Sequence, residues 1–249
     1  MKYLKSLIVI FLSIYSSHIT AQDAQEIISK ADKKLRGESS YSEIRIKMIR
    51  PKWEKEMQLK NWTKGSKLSV SLVTYPAKEK GIVFLKRDQE IWNYVPSIER
   101  KIKLPPSMMM QSWMGTDLIN DDLVKQSSIV TDYHQRIIGE ETVEGLPCWK
   151  IELIPHEDAA VVWGKMLIWI DKNDYMQMKA EFYDEDNFLI NSMLSHKPKI
   201  FDGKKLPSVL EFIPWEKDGN KTIIEYKVLR FDTEIKDEIF TIRYMKRLK

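Results

Sequence analysis

The feature that most restricts this chain is a period-two alternation of apolar and polar residues that returns again and again along its length. In Ser42–Ile49, Ile44, Ile46 and Met48 alternate with Glu43, Arg45 and Lys47, and Met57 and Leu59 alternate with Glu56, Gln58 and Lys60. Leu68, Val70 and Leu72 alternate in the same way with Ser69 and Ser71. A strand turns successive side chains to opposite faces of a sheet, so this pattern predicts strands with one apolar face and one wet face. Further strands are predicted at Gly81–Lys86, Glu90–Val95, Arg100–Leu104, Tyr133–Ile138, Cys148–Ile154 and Lys165–Ile170. Others follow at Gln177–Tyr183, Phe188–Leu194, Ser208–Ile213 and Thr222–Phe231. Short turns such as Lys64-Gly65-Ser66, Glu144-Gly145 and Asp218-Gly219-Asn220 leave no room for crossover helices, so the strands should pair antiparallel. The expected fold class is mainly β with minor α: one strongly curved antiparallel sheet or open barrel.

Two stretches depart from the alternation. The first is Asp23 to Gly37, where Ala24, Ile27, Ile28, Ala31 and Leu35 recur at helical spacing, Asp23 and Glu26 have capping-box spacing, and Gly37 supplies a stop. The second lies between the two blocks of strands. Pro105-Pro106 ends a strand, and Ser107-Met108-Met109-Met110-Gln111-Ser112-Trp113-Met114 leads to Gly115. Thr116 or Asp117 can then cap a short helix through Leu118, Leu123 and Val124. Such a segment can lie across the sheet. Methionine is unbranched and polarizable, so the cluster suits either a surface that takes guests of variable shape or an ordinary gap-filling plug.

The N-terminus reads as a targeting segment. Lys2 and Lys5 precede an apolar run from Leu7 to Ile14, and Ile19-Thr20-Ala21 offers a cleavage site after Ala21. That order describes a secretory signal peptide over residues 1–21, with one domain over 22–249 in the exported protein. The run is too short for a bilayer core, which takes about 20 apolar residues. Loss of Lys2 and Lys5 lowers the formal charge from +4 to +2, too little for a nucleic-acid partner. Cys148 is the sole cysteine, so no intramolecular disulfide can form.

Catalytic groupings are not evident. His134, His156 and His196 lack zinc spacing, no serine sits at a nucleophile elbow, and the nine glycines form no phosphate loop. Asp117/Asp121/Asp122 and Asp184-Glu185-Asp186 read as helix capping and as a hairpin turn. The reading is of a non-enzyme with no metal and no cofactor.

Several segments together resemble the LolA-like group of outer-membrane lipoprotein-sorting proteins. They are Glu79-Lys80-Gly81-Ile82-Val83-Phe84-Leu85, Glu90-Ile91-Trp92-Asn93-Tyr94-Val95-Pro96 and Ile102-Lys103-Leu104-Pro105-Pro106-Ser107-Met108-Met109. Trp113-Met114-Gly115-Thr116-Asp117, Asn120-Asp121-Asp122-Leu123-Val124, Gly139 to Gly145 and Asp237 to Tyr244 also fit. The resemblance implies an incomplete, strongly curved antiparallel barrel with lid helices in its mouth. It also implies a periplasmic chaperone that binds acyl chains of lipoproteins or other lipids and passes them towards the outer membrane. An inner-membrane transporter of ABC or RND type is the implied partner, and the carrier is expected to be a monomer. Trp92, Tyr94, Met108, Met109, Met110, Trp113, Met114, Trp149 and Trp169 are the residues expected at the cavity and lid, from strand parity and lid position. Two other readings use the same sequence: a lipid-responsive sensor or adaptor of a membrane exporter, and a lipid-modifying enzyme.

Overall fold

The computed structural model describes residues 21–125, 128–159 and 161–248, so nearly all of the expected signal peptide lies outside the described residues. Helix α1 (Ala21–Arg36) starts two residues before the Asp23 expected to cap it. It ends at Gly37, whose positive φ of 63° lets its N–H reach the Lys33 carbonyl at 2.9 Å. A side chain there would collide with Asp232, whose Oδ1 lies 2.9 Å from an added Cβ.

Thirteen strands follow. The first six are β1 (Ser39–Arg50), β2 (Trp53–Lys64), β3 (Leu68–Tyr75), β4 (Val83–Arg87), β5 (Glu90–Val95) and β6 (Arg100–Lys103). After the short helix α2 (Asn120–Lys125) come β7 (Tyr133–Val143), β8 (Leu146–Pro155), β9 (Lys165–Asp171) and β10 (Gln177–Tyr183). The last three are β11 (Leu189–Phe201), β12 (Lys204–Pro214) and β13 (Lys221–Phe231). All belong to one sheet in the order β6-β5-β4-β3-β2-β1-β13-β12-β11-β10-β9-β8-β7, and every neighbouring pair is antiparallel. Each predicted strand is present, and the sheet is not closed, as expected for an incomplete barrel.

The topology fixes where the lid must go. β6 and β7 are the two free edges, yet they are consecutive in sequence, so residues 104–132 have to cross from one edge of the sheet to the other. The described residues of that stretch lie on the face that α1 also covers, here called the inner face.

Side-chain parity divides that face into two wings. On the β1–β6 wing, Ile46, Met48, Met57, Leu59, Val73 and Phe84 pack against Trp113 of the crossing segment, with Met114 and Leu123 beside them. On the β7–β13 wing, Tyr133, Ile151, Leu153, Met166, Ile168, Ile170, Met193 and Phe212 pack with Ala24, Ile27 and Ile28 of α1. The outer face is not simply wet. Val70, Leu72, Val83, Leu85 and Tyr94 lie there beneath Phe240 and Met245 of the C-terminal segment. The apolar side of β3 therefore faces outward, and its serines face in.

Candidate functional site: a hollow between helix, lid and sheet

A cavity of about 240 Å³ remains where the two wings meet, bounded by α1, the crossing segment and the inner face. Its apolar wall comes from Ile28 and Ala31 of α1, from Met166, Ile168 and Ile170 on β9, and from Met193, Leu210 and Phe212. The opposite wall is polar. Inward positions that carry Ile44, Ile46 and Met48 further along β1 are held by Ser40 and Ser42, and Asn61 and Thr63 stand beside them on β2. Ser40 and Thr63 share a 2.6 Å hydrogen bond, and the Ser71 hydroxyl donates to Asn61 Oδ1 at 2.7 Å. The hollow is thus amphipathic: hydrocarbon on the β9 side, hydroxyl and amide on the β1–β2 side.

Its two ends carry charge. At one, Arg36 forks onto Asp32, with Nε and an amino nitrogen donating to Oδ1 at 2.9 and 2.6 Å. The buried Lys86 amine nearby is pulled down to about 8, by burial first and then by the Arg36 cation, and donates to the Ser66 carbonyl at 2.8 Å. At the other end, under α2, burial raises the Asp122 carboxyl to about 6. Its Oδ2 accepts the Ile119 N–H at 2.9 Å and its Oδ1 the Trp163 indole N–H at 3.3 Å.

The crossing segment is fastened at its far turn. Arg50, on an inward position at the end of β1, lies 3.0 Å from the Asp117 carboxylate and donates to the Gly115 carbonyl at 2.9 Å. Thr222 of β13 donates to the same carboxylate at 2.7 Å. Both charged side chains of this pair are at least nine-tenths buried. Asp117 is therefore an anchor and not the helix cap expected of it. The start of α2 is capped by Asp122, while Thr116 holds the loop by donating to the Trp113 carbonyl at 2.7 Å.

None of the nine residues expected at the cavity and lid lines the hollow, although Met108, Met109, Met110, Trp113 and Met114 do lie on the segment that crosses the sheet. Trp92 and Tyr94 pack outward under the C-terminal segment. Trp169 is also outward, its indole donating to Glu141 at 2.9 Å with the Lys150 and Lys179 ammonium groups over the ring. The cause is that β5 and β9 carry apolar residues on both faces, so parity alone cannot say which set points in. Trp149 does face inward and stacks 5.6 Å from Tyr175, which lines the hollow. Trp113 meets Phe84 edge-on at 5.5 Å, with Met114 beside it, and Met109 packs on Ile91 and Leu104. Met108 and Met110 are exposed. The methionine segment is thus a plug over one wing, next to the cavity and not above it.

The remaining candidates are structural. Asp184 Oδ1 accepts the N–H groups of Asp186 and Phe188, which closes the predicted hairpin turn. His134 and His156 touch each other at exposed strand ends. Burial pushes the Cys148 thiol up to about 11, which leaves it an unreactive part of the outer-face core. Among the described residues no group of three or more His, Cys, Asp or Glu is placed to hold a metal, and no helix is long and apolar enough to cross a membrane.

Comparison with known proteins agrees with this architecture. A family model whose description reads "-like: Uncharacterized protein" matches residues 65–247. No curated protein matches. A DUF1329 family protein from Desulfovibrio piger superposes with a TM-score of 0.83 at 21% identity, covering 90% of this chain and 98% of that one. A domain named for outer membrane lipoprotein sorting, from Vibrio parahaemolyticus, gives 0.81 at 19% identity, over 92% and 100% of the two chains. A LolA superfamily protein from Nitrosomonas europaea gives 0.75 at 24% identity, over 89% and 98%. The family model matches most of the chain, so this chain belongs to the family that model describes, and its fold is the one seen in the sorting domain and in the LolA superfamily protein.

Proposed function

We propose that this protein is an exported carrier that shelters acyl chains of lipoproteins or other lipids between α1, the lid and the sheet, and hands them on towards the outer membrane. The observation that carries the reading is the hollow itself: an apolar wall beside a hydroxyl and amide wall, left unfilled in a chain that has ample large side chains. At about 240 Å³ it lies just below the roughly 300–1,000 Å³ usual for ligand sites. A long acyl chain therefore needs more room than the closed form offers. The adjoining wing can provide it, because Trp113 and Met114 cover an apolar floor that a guest can take over if the lid lifts. Each buried methylene contributes about 0.8 kcal/mol, so a guest of a dozen carbons competes well with one tryptophan and one methionine. The carrier needs no covalent step: release follows when a deeper apolar site is offered by a partner. Inner-membrane transporters of ABC or RND type are the suppliers that this role calls for.

The test is lipid extraction from protein secreted to the periplasm and purified without detergent, followed by mass spectrometry. Near-stoichiometric recovery of acyl lipid is expected. Protein free of lipid that also fails to bind fluorescent fatty acids would remove the reading.

A further inference from the structure

The α2 end of the hollow holds more acceptors than donors. Asp122, half-buried, makes no ion pair with any described lysine or arginine, although a carboxylate drawn out of water is costly without a counter-charge. The indole that reaches it does so at a long 3.3 Å. Tyr133 lines the same end and is only 3% exposed, and its hydroxyl hydrogen-bonds to no described group. Asn191, 7% exposed, uses its amide N–H on the Asp117 carbonyl at 2.9 Å and leaves its buried Oδ1 with no donor.

These groups are contiguous. Asn191 sits opposite Phe182 in the β10–β11 ladder, the Phe182 ring packs 5.3 Å from Trp163, and Trp163 reaches Asp122. Burial first, and then the Asp121, Asp132 and Asp122 carboxylates, raise the Tyr133 phenol. The Arg36 cation at the other end is already engaged by Asp32.

We propose that this end of the hollow receives a cationic amine, so that the cargo is an amine-bearing amphiphile. The inference rests on the carrier reading and narrows its guest. An ammonium brings the positive charge that Asp122 lacks and three N–H donors for the Asp122, Tyr133 and Asn191 oxygens. The faces of Trp163 and Phe182 suit a cation as well. An alkyl tail attached to it would run along Met166, Ile168 and Ile170. A carboxylate or phosphate head group at this end would instead meet the Asp122 carboxylate.

Titration calorimetry at pH 7.5 with dodecylamine, dodecanol and dodecanoate, each below its micelle concentration, decides the matter. Dodecylamine should bind at least tenfold more tightly than dodecanol and more tightly still than dodecanoate. Asp122→Asn, which keeps an oxygen for the Ile119 N–H, should abolish the amine preference, bringing dodecylamine affinity down at least tenfold to that of dodecanol in the same variant. Tyr133→Phe should weaken dodecylamine alone, by a few fold. Equal affinity for all three, or unchanged preference in Asp122→Asn, overturns the amine assignment and leaves the carrier reading intact. Failure of all three to bind overturns both.

Discussion

The two wings of the inner face begin from the same alternation and end differently. On the β1–β6 wing the floor of Ile46, Met48, Met57, Leu59 and Phe84 is filled by the chain's own Trp113, Met114 and Leu123. On the β7–β13 wing the cover is a helix that packs Ala24, Ile27 and Ile28 on the sheet and carries Ala31 at the cavity, and a hollow persists beneath it. A large aromatic on a tethered loop fills the floor of one wing, whereas α1 leaves space on the other that Ala31 does not reach. Packing in one wing and room in the other are both written in side-chain size.

The sharpest way to break this contrast is to empty the filled wing. Trp113→Ala should cost about 3–5 kcal/mol, the usual range for a buried tryptophan, and should admit apolar dyes to the β1–β6 floor. Met110→Ala, on the same segment but 59% exposed, should change stability by less than about 0.5 kcal/mol in parallel urea titrations. Equal effects would mean that the segment does not plug the wing. Next in size is the fastening of the lid. Arg50→Ala leaves the buried Asp117 carboxylate without its cation, which should cost about 3 kcal/mol and speed proteolytic nicking within residues 104–119. Nicking at the native rate would show that the ion pair is not what holds the segment.

A smaller effect distinguishes the hollow wing by its pH response. Asp122 titrates near 3.8 when unfolded and about 6 in the fold, so the folded state holds its proton more tightly. Stability is therefore lost as pH rises from 4 through 6, and the loss is constant above that. Asp122→Asn escapes it, and should gain on the wild-type protein by roughly 2–3 kcal/mol between pH 4 and pH 7.5, at about 1.4 kcal/mol for each pH step between the two values. Thermal melts at the two pH values check this; a difference that does not change with pH contradicts it.

The strands were legible because alternation and turn residues are local signals. Glu90–Val95 and Gln177–Tyr183 coincide with β5 and β10, and most other strands only run longer than predicted. Which face points inward was not legible. Trp92 and Tyr94 are apolar at outward positions because the C-terminal segment covers them, and that cover is encoded far from β5, while Trp169 packs outward with Cys148, Met176 and Met178 in a second outer-face cluster. The hollow did leave a trace: Ser40 and Ser42 occupy the parity of Ile44, Ile46 and Met48, so the apolar stripe of β1 turns polar where it meets the cavity. The Arg50–Asp117 pair could not be read, since 67 residues of chain separate partners that only the crossing of the lid brings together.

Filling the hollow from α1 tests the central claim most directly. Ala31 lines the cavity on a helix anchored elsewhere by Ala24, Ile27 and Ile28. Ala31→Trp should reduce the affinity for a fluorescent fatty acid at least tenfold while near-ultraviolet circular dichroism still reports a folded protein. Undiminished binding by that folded variant would place the guest outside the hollow and contradict the account.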